Sequence, residues 1–277
     1  MHPTDDQKPP ARVIDALTCP VCRAGLTWMD RCLRCPAGHT FDIARQGYVN
    51  LLAGTGSAKA GSADTAAMVA DRADFLAAGH YAPLAGRVAA LARGDGLVVE
   101  AGAGTGYYSA AVLDQLPGAV GLALDVSAIA LRRAARAHAR LGAVVWDVWR
   151  PWPVRDGVAD VLLDVFAPRN APEFHRVLRP GGLLVVVTPG DGHLAELGRA
   201  AGLLGVDPRK PERLAGTLGG HFEQVTSTPL RYPMTLTSQD VARVVGMGPA
   251  GHHQRPVDDG EAREVTASFV VSTYRPR

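Results

Sequence analysis

The most distinctive chemistry in the chain is concentrated near its start. All four cysteines of the 277 residues lie within "CPVCRAGLTWMDRCLRCPAGH", residues 19 to 39, together with His39. Cys19 and Cys22 form one C-x2-C pair, Cys32 and Cys35 a second, and Cys35 and His39 a C-x3-H pair. Thiolates and imidazole are the soft ligands that a tetrahedral zinc ion prefers. In a chain read as cytoplasmic, where thiols stay reduced, such a cluster points to metal rather than to disulfides. The spacing leaves two ligand sets open, Cys19, Cys22, Cys35 and His39 or the four thiolates.

A second constellation lies in "VVEAGAGTGYYS". Glu100 ends an apolar run, and Gly102, Gly104 and Gly106 follow at alternate positions with Thr105 between the last two. Glycines there let the backbone approach a ligand at a strand-to-helix turn, which is where open α/β sheets bind. Tyr107 stands where the spacing of a dinucleotide fingerprint would continue, so that pattern fails. G-x-G-x-G after an acidic strand end fits S-adenosyl-L-methionine instead, with Glu100, Gly102, Gly104, Thr105 and Gly106 expected to bind it. Asp125 ends the next strand, placed for ribose hydroxyls, and Asp147 ends the one after, placed for the adenine amino group. A third group, "DVFAPRN", closes the fourth strand. Phe166 there could stack on a base, Arg169 or Asn170 could fix its edge or backbone, and Asp164 could accept a proton.

The elements that carry these residues follow from periodicity. Residues 1–15 read as a disordered lead-in, 16–52 as a zinc-binding module, 53–63 ("AGTGSAKAGSA") as a linker and 64–277 as the catalytic domain. Helical spacing from Asp64 to Ala92 breaks at "GHYAP", predicting two helices that meet at a corner. From Leu97 apolar strands alternate with helices, with "RPGG" as a turn before the fifth strand. Near-continuously apolar strands separated by helices predict a parallel sheet covered on both faces. "HFEQVTSTPLRYPM" and "EVTASFVVSTYRP" add two strands around a helix near Ser238–Gly246. The expected fold is α/β, a class I (Rossmann-like) methyltransferase with a seven-stranded, mostly parallel sheet, preceded by the zinc module.

Bulk properties exclude more than they assign. No uninterrupted apolar stretch reaches the ~18 residues of a membrane span. The opening "MHPTDDQKPPARV" lacks the apolar core of a secretion signal, so a cytoplasmic location is expected. A net charge of +2 names no partner. Arginines do crowd one helix, at Arg132, Arg133, Arg136 and Arg140.

The chain also resembles a known family, the RlmA-type 23S rRNA (guanine-N1)-methyltransferases, and within it the actinobacterial branch that protects producers from tylosin-like macrolides. The matching stretches are "CPVC", "CPAGHTFDIARQGYVNLL", "DFLAAGHYAPL", "GAGTGYYS", "LDVS", "VFAPRNAPEFHRVLRPGG", "TPGDGHLAEL" and "MGP". This resemblance implies zinc held by Cys19, Cys22, Cys35 and His39, with Cys32 a spare. It implies cofactor contacts from Tyr81 and His193 outside the glycine loop. It also implies a 23S rRNA hairpin near the peptide exit tunnel as substrate, N1 of a guanine as acceptor, and a homodimer with a shared RNA cleft. After "GMGP" the sequence departs from the family: "AGHHQRPVDDGEAREV" is shorter and lacks an aromatic, with His252 and His253 in that space. The rival readings are a methyltransferase of the same fold acting on a small natural product, and a non-catalytic RNA- or antibiotic-binding protein. The intact loop glycines and Asp125 argue against the last.

Overall fold

A computed structural model describes residues 8–52, 64–198, 216–248 and 260–277. The linker over 53–63 and the pair His252 and His253 lie outside the described residues.

The front of the chain forms helix α1 (Ala11–Ala16) and a small antiparallel sheet of three strands, β1 (Thr27–Met29), β2 (Cys32–Arg34) and β3 (Thr40–Asp42). α1 occupies residues assigned above to a disordered lead-in. It is ordered because Val13 and Ile14 are buried, and Val13 fills the space beside Gly142, where an added Cβ would come 2.8 Å from the Val13 methyl.

The catalytic domain is built on β5 (Leu97–Ala101), β6 (Val120–Asp125), β7 (Leu141–Val145), β8 (Ala159–Val165), β9 (Leu178–Pro189), β10 (Phe222–Leu236) and β11 (Arg263–Pro276). These are the seven strands expected, but the sheet has eight. The extra one is β4 (Tyr48–Asn50), which pairs parallel to β7, Tyr48 opposite Ala143 and Asn50 opposite Val145. The end of the zinc module is therefore an edge strand of the catalytic sheet, a non-local pairing that no local pattern could reveal. The order is β10-β11-β9-β8-β5-β6-β7-β4, with β10 and β11 antiparallel. Every residue of central β5 is buried, as a strand covered on both faces requires.

Helices α2 (Ala66–Ala77) and α3 (Ala82–Leu91) meet at the predicted corner. α4 (Tyr107–Gln115), α5 (Ala128–Ala137), α6 (Ala171–Val177) and α7 (Ser238–Gly246) complete the layers. Thr65 and Ser127 cap α2 and α5 with their hydroxyls, and Thr237 and Asp240 form a capping box on α7. "RPGG" is not a turn between elements. It lies inside β9, where Gly181 adopts φ 77° and the pairing with β8 shifts between Ala159 and Val161, so it acts as a bulge. Arg140 stands apart from the other arginines of its group and has a structural role. Its guanidinium donates to the carbonyl of Leu116 at 2.7 Å and to those of Leu113 and Ala119, satisfying the C-terminal end of α4.

The front module is fastened to the loop before β8. Thr18 N–H donates to the Pro153 carbonyl (2.9 Å), Arg155 N–H to Ala16 (2.9 Å) and the Arg23 guanidinium to Trp152 (3.0 Å). Trp152 itself is fully buried.

Candidate active site and metal centre

The metal centre is assembled by two tight turns. The first runs from Cys19, whose carbonyl accepts from Arg23 N–H at 2.8 Å, with Arg23 at φ 63°. The second runs from Cys35, whose carbonyl accepts from Gly38 N–H at 2.9 Å, with Gly38 at φ 89°. These turns bring the ligand atoms of Cys19, Cys22, Cys35 and His39 within 4.8 Å of one another. The Cys22 and Cys35 sulfurs are 3.6 Å apart, and His39 Nδ1 lies 3.6 Å from Cys19 Sγ and 3.3 Å from Cys35 Sγ. Zinc bonds of ~2.3 Å to sulfur and ~2.0 Å to nitrogen imply tetrahedral edges of about 3.8 and 3.5 Å, so the four residues fit zinc. Cys32 is excluded. It starts β2, and its thiol donates to the Met29 carbonyl at 2.8 Å. The four-thiolate alternative fails because β2 turns that side chain away from the two turns.

At the carboxyl edge of the large sheet the loop glycines all adopt positive φ: Gly102 at 63°, Gly104 at 55° and Gly106 at 77°. Gly102 abuts Ala167, with an added Cβ 2.7 Å from its methyl, and Gly106 abuts Ala134 of α5 at 3.1 Å. The loop is thus wedged between the segment after β8 and the helix after β6, with Thr105 half-buried between them. Asp125 organises it: one carboxylate oxygen accepts from Gly104 N–H (2.8 Å) and the other from Ser127 N–H (2.7 Å). Burial raises the Asp125 pKa, while these backbone donors oppose the rise. Asp147 is half-buried at the same edge and accepts from Trp149 N–H at 3.0 Å.

Glu100 has a different place from the ligand-facing one expected. It is buried, and its carboxylate accepts from both the backbone N–H (3.0 Å) and the hydroxyl of Ser109 in α4. It braces the first turn of α4 under the loop. Burial pushes its pKa up to about 7.

Tyr81 and His193 meet although 112 positions separate them: Tyr81 Oη lies 3.2 Å from His193 Nε2. His193 Nδ1 accepts from Ser268 N–H at 3.1 Å. In the neutral ring the proton therefore sits on Nε2 and points at the Tyr81 oxygen. The Tyr81 proton is then available to another acceptor. Burial raises the Tyr81 pKa, so it stays a phenol.

Phe166 stands over this pair at φ 57° and is 41% exposed, which is unusual for a large aromatic in an αL turn. Its ring centroid is 6.5 Å from Tyr81, 6.4 Å from Tyr108 and 5.6 Å from Phe269. Phe269 is the hub that the sequence did not disclose, lying 5.0 Å from Tyr81 and 4.7 Å from His193. It sits mid-strand in β11, where an apolar residue signals only a core. Ser109, Ser268 and Tyr232, which donates to the His80 carbonyl at 3.0 Å, were likewise silent.

The remaining predicted residues are placed otherwise than expected. Asp164 is fully buried, with Arg169 Nε 3.6 Å away, so it balances Arg169 rather than facing an acceptor base. Asn170 donates to the Val148 carbonyl at 2.8 Å, tying the loop after β8 to the one after β7.

Comparison with known proteins agrees with both halves. The family model for the RlmA N-terminal zinc ribbon matches residues 17–54. The 23S rRNA (guanine(748)-N(1))-methyltransferase of Streptomyces fradiae is 50% identical over 95% of this chain and 98% of its own. A relative from Micromonospora griseorubida, also named as a 23S rRNA (guanine-N(1)-)-methyltransferase, is 50% identical over 94% of this chain and 97% of its own. Among solved structures, a chain from the complex of the Haloferax volcanii Trm112 methyltransferase activator with a methyltransferase superimposes with a TM-score of 0.50 at 15% identity, over 76% of this chain and 96% of that one, which supports the fold alone. The adenosylmethionine loop, the zinc ribbon and this identity across nearly the whole length place the chain in the family of 23S rRNA (guanine-N1)-methyltransferases.

Proposed function

We propose that this enzyme methylates N1 of a guanine in a 23S rRNA hairpin near the peptide exit tunnel, and that the modification protects against macrolides that bind there. The observation that carries the reading is 50% identity, spanning zinc ribbon and catalytic sheet together, to an enzyme named for guanine 748. S-adenosylmethionine supplies a methyl already activated by its sulfonium, so the chain has mainly to align donor and acceptor.

In this reading Asp125 receives ribose hydroxyls and Asp147 the adenine amino group, with the loop glycines allowing close approach. Tyr81, held by His193, presents its hydroxyl at the same edge. Guanine N1 lies on the Watson–Crick edge, so the base must leave its pair, and the exposed face of Phe166 gives it a surface to stack on. Arg169, anchored by Asp164, and Asn170, anchored to Val148, shape the rim of that pocket. Asp164 is too buried to take the N1 proton; water at the open edge beside Phe166 takes it instead.

The RNA has a basic track to follow. Arg132, Arg133 and Arg136 are exposed on α5, a helix without one acidic residue. The zinc module lies against the same helix, with Gly47 3.5 Å from the Ala135 methyl, measured from where its Cβ would be. No described helix is long and apolar enough to cross a membrane. We place the enzyme in the cytoplasm, as a homodimer with a shared RNA cleft.

The test is primer extension on 23S rRNA incubated with enzyme and S-adenosylmethionine. N1-methylguanine blocks pairing, so a cofactor-dependent stop one nucleotide short of the target is expected. No stop on free rRNA or on precursor particles would transfer the assignment to a small-molecule acceptor.

A further inference from the structure

Asp125, Asp147 and the loop glycines account for the adenosyl half of S-adenosylmethionine. The methionyl half carries an α-carboxylate and an α-ammonium, and a carboxylate at a partly buried site needs a cation or oriented N–H donors. Among the loop glycines, Gly104 has a cation close by: Arg72 Nη1 stands 3.5 Å from the place of its missing Cβ. Arg72 belongs to α2, the helix whose C-terminal corner also delivers Tyr81.

Two contacts hold its guanidinium over the loop. Nη2 donates to the Met247 carbonyl at the end of α7 at 2.9 Å, and Nη1 pairs with the Asp64 carboxylate. About a quarter of each side chain, 26% for Arg72 and 23% for Asp64, remains exposed, so the pair borders open space. Arg72 and Asp64 also lie near enough to Asp125 to pull its proton affinity in opposite directions. The cation is therefore adjacent both to the ribose-binding acid and to the glycine whose N–H that acid orders.

We infer that Arg72 receives the α-carboxylate of S-adenosylmethionine, with Asp64 as the charge partner that keeps the guanidinium turned toward the glycine loop. This rests on the cofactor assignment above. An arginine suits this role because its five N–H donors leave some for a carboxylate while Nη2 stays committed to Met247 and Nη1 to Asp64. The arrangement also connects cofactor binding to Met247, because Arg72 bridges α2 to the end of α7.

Calorimetry of the full chain with two nucleosides tests this without any turnover. S-adenosylhomocysteine keeps the amino-acid end, and 5′-methylthioadenosine lacks it. The wild-type chain is expected to prefer S-adenosylhomocysteine by a factor on the order of 10 to 100, the worth of a charge-assisted hydrogen bond. Arg72→Gln should lose most of that preference while binding methylthioadenosine unchanged, which also shows that the variant is folded. Arg72→Lys, keeping the charge but not the fork, should fall between. An Arg72→Gln variant that keeps the preference overturns the inference, and so does one that weakens both nucleosides equally, since Arg72 would then only brace the loop. A wild-type chain that binds neither nucleoside would overturn the cofactor assignment itself.

Discussion

Glu100→Gln should change the pH dependence of stability in a defined direction. Glu100 is buried beneath the glycine loop, and burial raises its folded pKa to about 7 from the ordinary 4.5, with Ser109 opposing the rise. The native state therefore keeps its proton over a range in which the unfolded chain has released it. Ionising the native carboxyl costs free energy that is absent below pH 4.5, grows through the interval and levels off above pH 7. A shift of roughly 2.5 units at about 1.4 kcal/mol per unit sets the full cost at roughly 3.5 kcal/mol, of which about 2.5 kcal/mol accumulates between pH 5 and 8.5. Glutamine carries no such cost, and its carbonyl can still accept from Ser109. Any hydrogen bond that its amide group fails to make is a constant offset, so the slope is the informative quantity. Urea unfolding of both proteins across pH 5 to 8.5 should show the variant gaining on the wild type by ~2 kcal/mol or more as pH rises. A difference that stays flat across that range would falsify the placement of Glu100 as a brace in a dry site.

Three further outcomes are expected. Cys22→Ser should release zinc and unfold the front module, whereas Cys32→Ser should retain the metal by elemental analysis; loss of zinc from the latter would show that the ligand set is wrong. Gly104→Asp should abolish S-adenosylhomocysteine binding in calorimetry, because it sets a second carboxylate beside Asp125, whose oxygen lies 2.8 Å from the Gly104 nitrogen; unchanged binding would refute the cofactor's placement. Replacing Arg132, Arg133 and Arg136 together by glutamate should leave cofactor binding intact but weaken rRNA binding, reducing the slope of log affinity against log salt by roughly two; an unchanged slope would clear α5 of the RNA path.

Local chemistry was legible in the residues alone. Alternate glycines after an acidic strand end, Asp125 at the next strand and the apolar strand rhythm were enough for the sheet, its helices and the cofactor class. These signals are written within a few residues of one another, so no knowledge of the distant chain is needed to read them. The cysteine pairs announced a metal in the same way.

Whatever depends on which distant residues meet was settled by packing. Spacing alone left Cys32 and His39 as rival ligands; the family resemblance favoured His39, and the Cys32 thiol, donating to the Met29 carbonyl outside the cluster, agrees. Glu100 and Asp164 looked like ligand-facing acids because both end strands; burial turned them inward, to Ser109 and Arg169. The eighth strand, β4, and the Phe269 hub arise from pairings between residues far apart in the chain, which leave no trace in local periodicity. Tyr81 and His193 sit on separate elements, and packing at the sheet's carboxyl edge brings them together. A strand-end residue can be recognised from its neighbours in sequence, but the direction its side chain takes, and so its chemistry, is set by the tertiary fold.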